Sequence, residues 1–293
     1  MANQNDNNEA AVIASKFINS TNRNIFLTGR AGTGKTTFLQ YIVENTHKNA
    51  VVAAPTGIAA INAGGVTLHS LFHLPFGCFI PSSTPLNEQE FNTQVNTPQS
   101  VRKSLRMNSH KRKLIREMEL LIIDEVSMLR SDLLDAIDVV LRTIKRRKSL
   151  PFGGTQILFI GDLYQLPPVV KREEWSFLKH YYSTPYFFDA TAIREFQPLF
   201  IELEKIYRQT DQQFITILNH FRDNAITQDD IQTLNKRYFP DYKPKSDEGF
   251  VFLTTHNNKA DEINRRALSK LADKSHYFEA EVEGDFGEQI GRA

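Results

Sequence analysis

Residues Gly29-Arg30-Ala31-Gly32-Thr33-Gly34-Lys35-Thr36 combine glycines, a lysine and a hydroxyl at the spacing G-x-x-x-x-G-K-[ST]. That pattern suits a polyphosphate. The glycines let the backbone turn so that its N–H groups point inward around an anion. A helix opening at Lys35 adds the positive end of its dipole. The Lys35 ammonium suits the β- and γ-phosphates, and the Thr36 hydroxyl is a Mg²⁺ ligand. Gly29, Ala31, Gly32, Thr33, Gly34, Lys35, Thr36 and Thr37 are the expected nucleotide-binding residues. Further along, Leu120-Leu121-Ile122-Ile123 runs into Asp124-Glu125. An acidic pair leaving a buried strand stands where α/β sheets bind ligands. Asp124 can hold Mg²⁺, directly or through water, and Glu125 can orient or deprotonate the attacking water. The two motifs predict nucleoside triphosphate hydrolysis, with Mg²⁺ as a cofactor.

Strands must deliver these residues to one place. Asn24–Thr28, Ala50–Ala54, Leu120–Ile123 and Gln156–Ile160 are short apolar runs that read as buried strands. Ala10–Ile18 and Phe38–Val43 read as helices. So does the stretch after Ser131, with Leu133, Leu134, Ile137, Val140, Leu141 and Ile144 at helical spacing and Ser131 as its N-cap. The alternation predicts an α/β fold with a parallel sheet. Residues 75–100 carry Pro75, Pro81, Pro85 and Pro98 and little periodicity, which predicts an insertion. Its Phe76, Phe79 and Phe91 suit either a small core or stacking on bases. Past Phe200 the pattern restarts, with helices over 214–221 and 258–271 and a buried strand over 249–254. The expected domains are 1–72 with 101–203, an inserted 73–100, and 204–293.

Composition removes several classes. The chain has 293 residues and a net charge of +1, from 35 Lys and Arg against 34 Asp and Glu. A basic surface for a polyanion must therefore be local. Two segments qualify: 101–118, with seven Lys or Arg against one Glu, and Arg142–Lys148. Cys78 stands alone, which excludes a disulfide framework and a cysteine-built zinc site. No apolar run is long enough for a membrane span, and the polar N-terminus lacks a signal-peptide pattern. A bacterial cytoplasmic, nucleoid-associated location is expected, or nucleus or mitochondrion in a eukaryotic host.

The phosphate motifs alone do not separate a helicase from a transport ATPase, a GTPase or a clamp loader. Further segments narrow the class. Ala54-Pro55-Thr56-Gly57-Ile58-Ala59-Ala60 follows the second strand, and Gly65-Val66-Thr67-Leu68-His69-Ser70 comes soon after. Gly161-Asp162-Leu163-Tyr164-Gln165-Leu166-Pro167-Pro168 closes the fourth strand, and Leu203-Glu204-Lys205-Ile206-Tyr207-Arg208-Gln209 lies beyond. In order and spacing this set resembles the Pif-one-like helicases, RecD-related members of superfamily 1B, from about Asn24 to Gln209. A weaker echo runs from Phe252 to Leu268.

The resemblance implies a P-loop RecA-like domain, a small inserted wedge-like subdomain and the beginning of a second RecA-like domain. It implies an ATP-dependent 5′-to-3′ DNA helicase of genome maintenance, acting as a monomer on single-stranded and forked or structured DNA. It gives Lys35, Glu125, Gln165 and Arg208 catalytic roles. Gln165 and Arg208 would meet the γ-phosphate. Pro55, Thr56, Gly57, Thr67, His69, Thr255 and Asn257 would touch the DNA strand. Two of these also have a plainer reading, Thr67 as a helix cap and His69 as an ordinary buried histidine. The family usually carries a glutamine before the first strand that reads adenine. Here that stretch is Glu9-Ala10-Ala11-Val12, and Gln4 sits too early. The family's second domain also continues past the fourth motif, whereas this sequence ends at Ala293, with Arg292 too close to the end to serve as its late arginine finger. The expectation is a chain that binds nucleotide and DNA but unwinds poorly. A non-catalytic helicase fragment, or another P-loop ATPase that assembles at DNA, remains the alternative.

Overall fold

The computed structural model describes residues 9–82, 94–207, 211–242 and 249–271. Its first part runs α1 (Glu9–Ser20), β1 (Ile25–Gly29), α2 (Lys35–Asn45), β2 (Ala50–Ala54), α3 (Gly57–Asn62), β3 (Val66–Thr67) and α4 (Leu68–Phe72). Next come β4 (Cys78–Phe79), β5 (Val95–Asn96), α5 (Pro98–Ser104), α6 (Ser109–Glu117), β6 (Leu120–Ile123), α7 (Ser131–Ile144) and β7 (Gln156–Ile160). The remainder is α8 (Arg172–Leu178), α9 (Thr191–Glu195), β8 (Leu199–Leu203), α10 (Gln212–Arg222), α11 (Gln228–Asn235) and α12 (Asn257–Leu268).

β1, β2, β3, β6, β7 and β8 form one sheet in the order β3-β2-β6-β7-β1-β8, and every pairing is parallel. Side chains alternate across a strand, so each central strand feeds two cores. Leu121, Ile123, Ile157 and Phe159 point into one core with α7, while Leu120, Ile122, Leu158 and Ile160 point into the other with α1 and α2. This is why those strands are apolar throughout instead of alternating. A parallel sheet gathers the carboxyl ends of its strands at one edge, and the sequence motifs follow those ends. β8 was not foreseen. It is an edge strand with partly exposed residues, and its five-residue run contains Glu202.

α7 buries more than apolar residues. Asp132, Asp135 and Asp138 lie on its covered face. Asp132 accepts from Arg130 and from the Phe79 backbone N–H, and Arg130 also reaches Glu174. Asp135 accepts from the Tyr182 hydroxyl and the N–H groups of Thr191 and Ala192. Asp138 binds Arg142 and the Phe152 N–H. These bonds fasten the chain on both sides of α7. Ser131 is not the N-cap. Arg130 takes that position, and the Ser131 hydroxyl donates to the Thr184 carbonyl.

The described part of 73–100 forms a two-stranded pair, β4 with β5, and shares a small core with α8. Phe79 is buried in the main core, Phe76 is exposed, and Phe91 lies outside the described residues.

Contacts divide the chain into two compact units, Met1–Thr227 and Gln228–Ala293, so residues 204–227 group with the first. Within the second unit the strand expected over 249–254 is absent. Val251 and Leu253 are 82% and 94% exposed. Among the described residues no strand lies beside this segment to take up its backbone groups, so an apolar run alone does not make a strand there.

Candidate nucleotide and nucleic-acid site

β1 ends at Gly29 and α2 starts at Lys35, so the loop between them opens directly onto a helix N-terminus. Gly34 occupies the cap position at φ 90° with no side-chain cap, which leaves the first helical N–H groups for a ligand. Gly29 has no room for a side chain, since a Cβ there would stand 2.6 Å from the Leu203 carbonyl oxygen. Thr33 closes the loop by donating from its hydroxyl to the Arg30 carbonyl at 2.9 Å. Lys35 Nζ spans the loop, donating to the carbonyls of Gly29 at 2.7 Å and Arg30 at 3.1 Å. Burial holds its pKa below the usual lysine value, and the carboxylates of Asp162, Glu125 and Asp124 partly offset this. Thr36 and Thr37 are exposed on the first turn of α2.

β6 delivers Asp124 and Glu125 beside this loop. Glu125 adopts φ 52°, ψ 44°, a left-handed conformation uncommon for residues other than glycine. Strain of this kind costs about 1–3 kcal/mol and collects at functional sites. Its N–H donates to Asp124 Oδ1 at 2.9 Å. Burial raises both carboxyl pKa values; for Glu125 the neighbouring Asp124 charge raises it further. Thr36, Asp124, Glu125 and Gln165 line one cavity of about 520 Å³, together with Thr56 and Ser127. The Ser127 hydroxyl is buried there with no partner among the described residues.

β7 delivers the next loop. Asp162 Oδ1 accepts from the Tyr164 N–H, and the Asp162 carbonyl accepts from the Gln165 N–H. Asp162 also pairs with Arg222 of α10, whose guanidinium lies 4.4 Å from the centre of the Tyr164 ring. Gln165 is exposed and lines a second cavity as well, about 310 Å³, between the phosphate loop and α10. Tyr207 folds back so that its N–H donates to the Gly32 carbonyl at 2.8 Å, and its half-exposed ring lies against Gly34. Arg208 lies outside the described residues.

The expected strand-contacting residues of the first unit gather at the sheet's edge. Ala54 pairs with Thr67 across β2 and β3, which sets Pro55, Thr56 and Gly57 beside Thr67. Both threonines are helix caps: Thr56 accepts from the Ala59 N–H and Thr67 from the Ser70 N–H, each at 3.2 Å. Each hydroxyl keeps its own hydrogen to donate. His69 is partly buried and stacks on the exposed Phe76, with ring centres 6.2 Å apart. Burial, then the Arg130 charge, lowers its pKa and favours the neutral ring. Thr255 and Asn257 belong to the second unit, where the Thr255 hydroxyl meets His256 Nδ1 and Asn257 opens α12.

Sequence reading did not single out Asp162, Arg222, Tyr207 or Ser127. Asp162 lay within a quoted motif, but its partner Arg222 is visible only once α10 packs on the loop.

The model of the PIF1-like helicase family matches residues 2–231. The chain belongs to the PIF1-like helicase family. It is 31% identical over 265 residues to the ATP-dependent DNA helicase PIF1 of Saccharomyces cerevisiae, covering 88% of this chain and 28% of that protein. With the human ATP-dependent DNA helicase PIF1 it shares 33% identity over 261 residues, 88% of this chain and 36% of that protein. Among solved structures, a Bacteroides Pif1 bound to ssDNA superposes with a TM-score of 0.76 at 41% identity, covering 91% of this chain and 56% of that one. A complex of two coordinating Pif1 helicases at forked dsDNA gives 0.77 at 41% identity, covering 89% and 57%. The chain thus spans about a third or less of the curated PIF1-like relatives' length.

Proposed function

We propose that the protein hydrolyses ATP and couples the reaction to movement along single-stranded DNA, 5′ to 3′, opening duplex as a PIF1-like helicase. The observation that carries this is the shared cavity. One space holds the residues suited to phosphate chemistry, Thr36, Asp124, Glu125 and Gln165, together with Thr56 at the strand-facing edge. A change in the nucleotide is then felt one side chain away from the DNA contact. The proposal takes one copy as the working unit on a single strand.

The roles follow from position. The loop N–H groups and Lys35 bind the phosphates, and the neighbouring carboxylates of Asp162, Glu125 and Asp124 favour the charged ammonium against the opposing effect of burial. Glu125 accepts the proton of the attacking water, and burial with the neighbouring Asp124 charge raises its pKa, which makes it a stronger base than an ordinary carboxylate. Gln165 stands on a loop braced by Asp162 and Arg222, so loss of the γ-phosphate is transmitted to that loop and to α10. Thr56, Gly57 and Thr67 offer sequence-independent donors to DNA phosphates, and His69 with Phe76 offers a stacking surface for a base. The donor set fits Mg²⁺: a hydroxyl and a carboxylate sharing a cavity are hard oxygen ligands, and this ion is usually held by one or two carboxylates plus substrate phosphates. Thr36 and Asp124 would hold it, and it would neutralise charge on the phosphates. Arg208 completes the γ-phosphate contacts in this reading.

Measuring Mg²⁺-dependent ATP hydrolysis in the chain and in Lys35→Ala tests the proposal. Turnover that needs both Mg²⁺ and Lys35 is expected. Equal turnover in the variant overturns the phosphate assignment.

A further inference from the structure

The opposite end of the sheet carries a feature that the motor chemistry does not use. α7 starts beyond the carboxyl end of β6 and runs back along the sheet, and β7 begins at Gln156. Residues 145–150 therefore sit where the strands begin. Lys145 fixes this placement, since its Nζ donates to the carbonyls of Arg116 and Met118, just before β6. Strands of four or five residues at about 3.3 Å each put the two ends of the sheet about 15 Å apart. Thr56 and Thr67 are at the far end.

The two basic segments separate into engaged and free charges. Arg142 is neutralised by Asp138 and Glu195, Lys145 is held by carbonyls, Lys111 donates to the Ser70 carbonyl and Arg112 to that of Leu105. Arg102, Arg146, Arg147 and Lys148 form no ion pair among the described residues. Together with Thr143 and Ser149 they line an open pocket of about 950 Å³ in which no carboxylate takes part. The fold builds this gathering. Arg146 turns the chain after α7 at φ 58°. Gly153 then passes the helix so closely that a Cβ would stand 2.8 Å from the Leu141 carbonyl oxygen, and a Cβ at Gly154 would stand 3.3 Å from Arg147 Nη1. Like charges held together repel, and an anionic ligand relieves that repulsion.

We propose that this pocket is a second phosphodiester-backbone site, which holds the arm of a forked DNA that lies outside the single-strand track. Arginine forks suit phosphate oxygens, and contacts of this kind position nucleic acid without reading sequence. The inference rests on the reading that the protein acts on DNA.

The test compares the parent chain with Arg102→Gln/Arg147→Gln/Lys148→Gln, all exposed positions. Fluorescence anisotropy follows a labelled forked DNA and a short single strand over a potassium chloride series, with tripolyphosphate as a separate competitor. Removing three phosphate contacts should lower the salt slope for the fork by about 2 to 3, with an affinity loss of about tenfold or more at 0.1 M salt. Short-strand affinity and DNA-stimulated ATP hydrolysis should stay as in the parent. An unchanged fork slope alongside normal ATP hydrolysis overturns this site alone. Equal losses for fork and short strand place the residues in the motor's own track and overturn a separate site. If tripolyphosphate binding is lost while fork binding is kept, the pocket takes a free polyphosphate instead of DNA. Failure of the parent to bind either DNA overturns the DNA reading together with the site.

Discussion

Arg222→Ala should both destabilise the protein and weaken nucleotide binding. The Arg222 and Asp162 side chains are 16% and 3% exposed. Removing the arginine leaves a carboxylate buried and uncompensated. Breaking a fully buried pair costs about 3–5 kcal/mol; the residual exposure of Arg222 brings the expectation to about 2–4 kcal/mol. The lost contact with Tyr164 falls within that range. Asp162 also contributes the largest charge effect on Lys35. Freed from Arg222, it should draw the ammonium toward itself and away from phosphate. Asp162→Asn keeps an oxygen for the Tyr164 N–H but removes the charge. The pair Arg222→Ala/Asp162→Asn should therefore be more stable than Arg222→Ala alone, by about 1 kcal/mol or more, a coupling typical of residues in direct contact. Urea unfolding gives the stabilities, and titration with a fluorescent ATP analogue gives the affinities. Additive losses, with the double variant weaker than either single one, would refute the charge argument.

Glu125→Gln should lower ATP turnover by about 10²–10⁴-fold while nucleotide binding persists, read by steady-state hydrolysis and direct titration. The same variant should not unfold sooner. The folded-state pKa of Glu125 is raised, so its ionised form loses stability as pH rises from the unfolded value through the folded one, and a neutral amide lacks that penalty. Nucleotide affinity should fall as pH climbs through the depressed Lys35 pKa, beginning below the usual lysine value of 10.5, because deprotonation removes the phosphate-binding charge. Lys35→Arg should abolish that decline in a pH series, since arginine does not titrate there. Thr67→Ala should cost about 1 kcal/mol through loss of the α4 cap. Thr67→Asn should restore that stability, and weaker binding of a labelled single strand by Thr67→Asn would isolate the hydroxyl's contact with DNA.

The loop from β1 to α2 was legible because its residues are local. Glycines, a lysine and a helix start fall within one loop, and β1, β2, β6 and β7 are apolar on both faces because helices cover both. What stayed hidden depends on distant partners. Nothing in the sequence marks Asp132, Asp135 and Asp138 as buried, because the loops that satisfy them come from elsewhere in the chain. Arg222 gains its role only when α10 packs on the loop and brings it to Asp162, 60 residues earlier in the chain. The basic runs looked uniform, yet Arg142 and Lys145 brace the fold while Arg102 and Arg147 face a pocket. The run over 249–254 failed in the other direction, with strand composition but no strand beside it.

If one site joins ATP chemistry to a DNA strand, hydrolysis must respond to DNA. ATP hydrolysis by this chain, with and without short single-stranded DNA and with Glu125→Gln as the blank, tests it most directly. Turnover should rise when DNA is added and disappear in the blank. Turnover indifferent to DNA, or retained in Glu125→Gln, would contradict it.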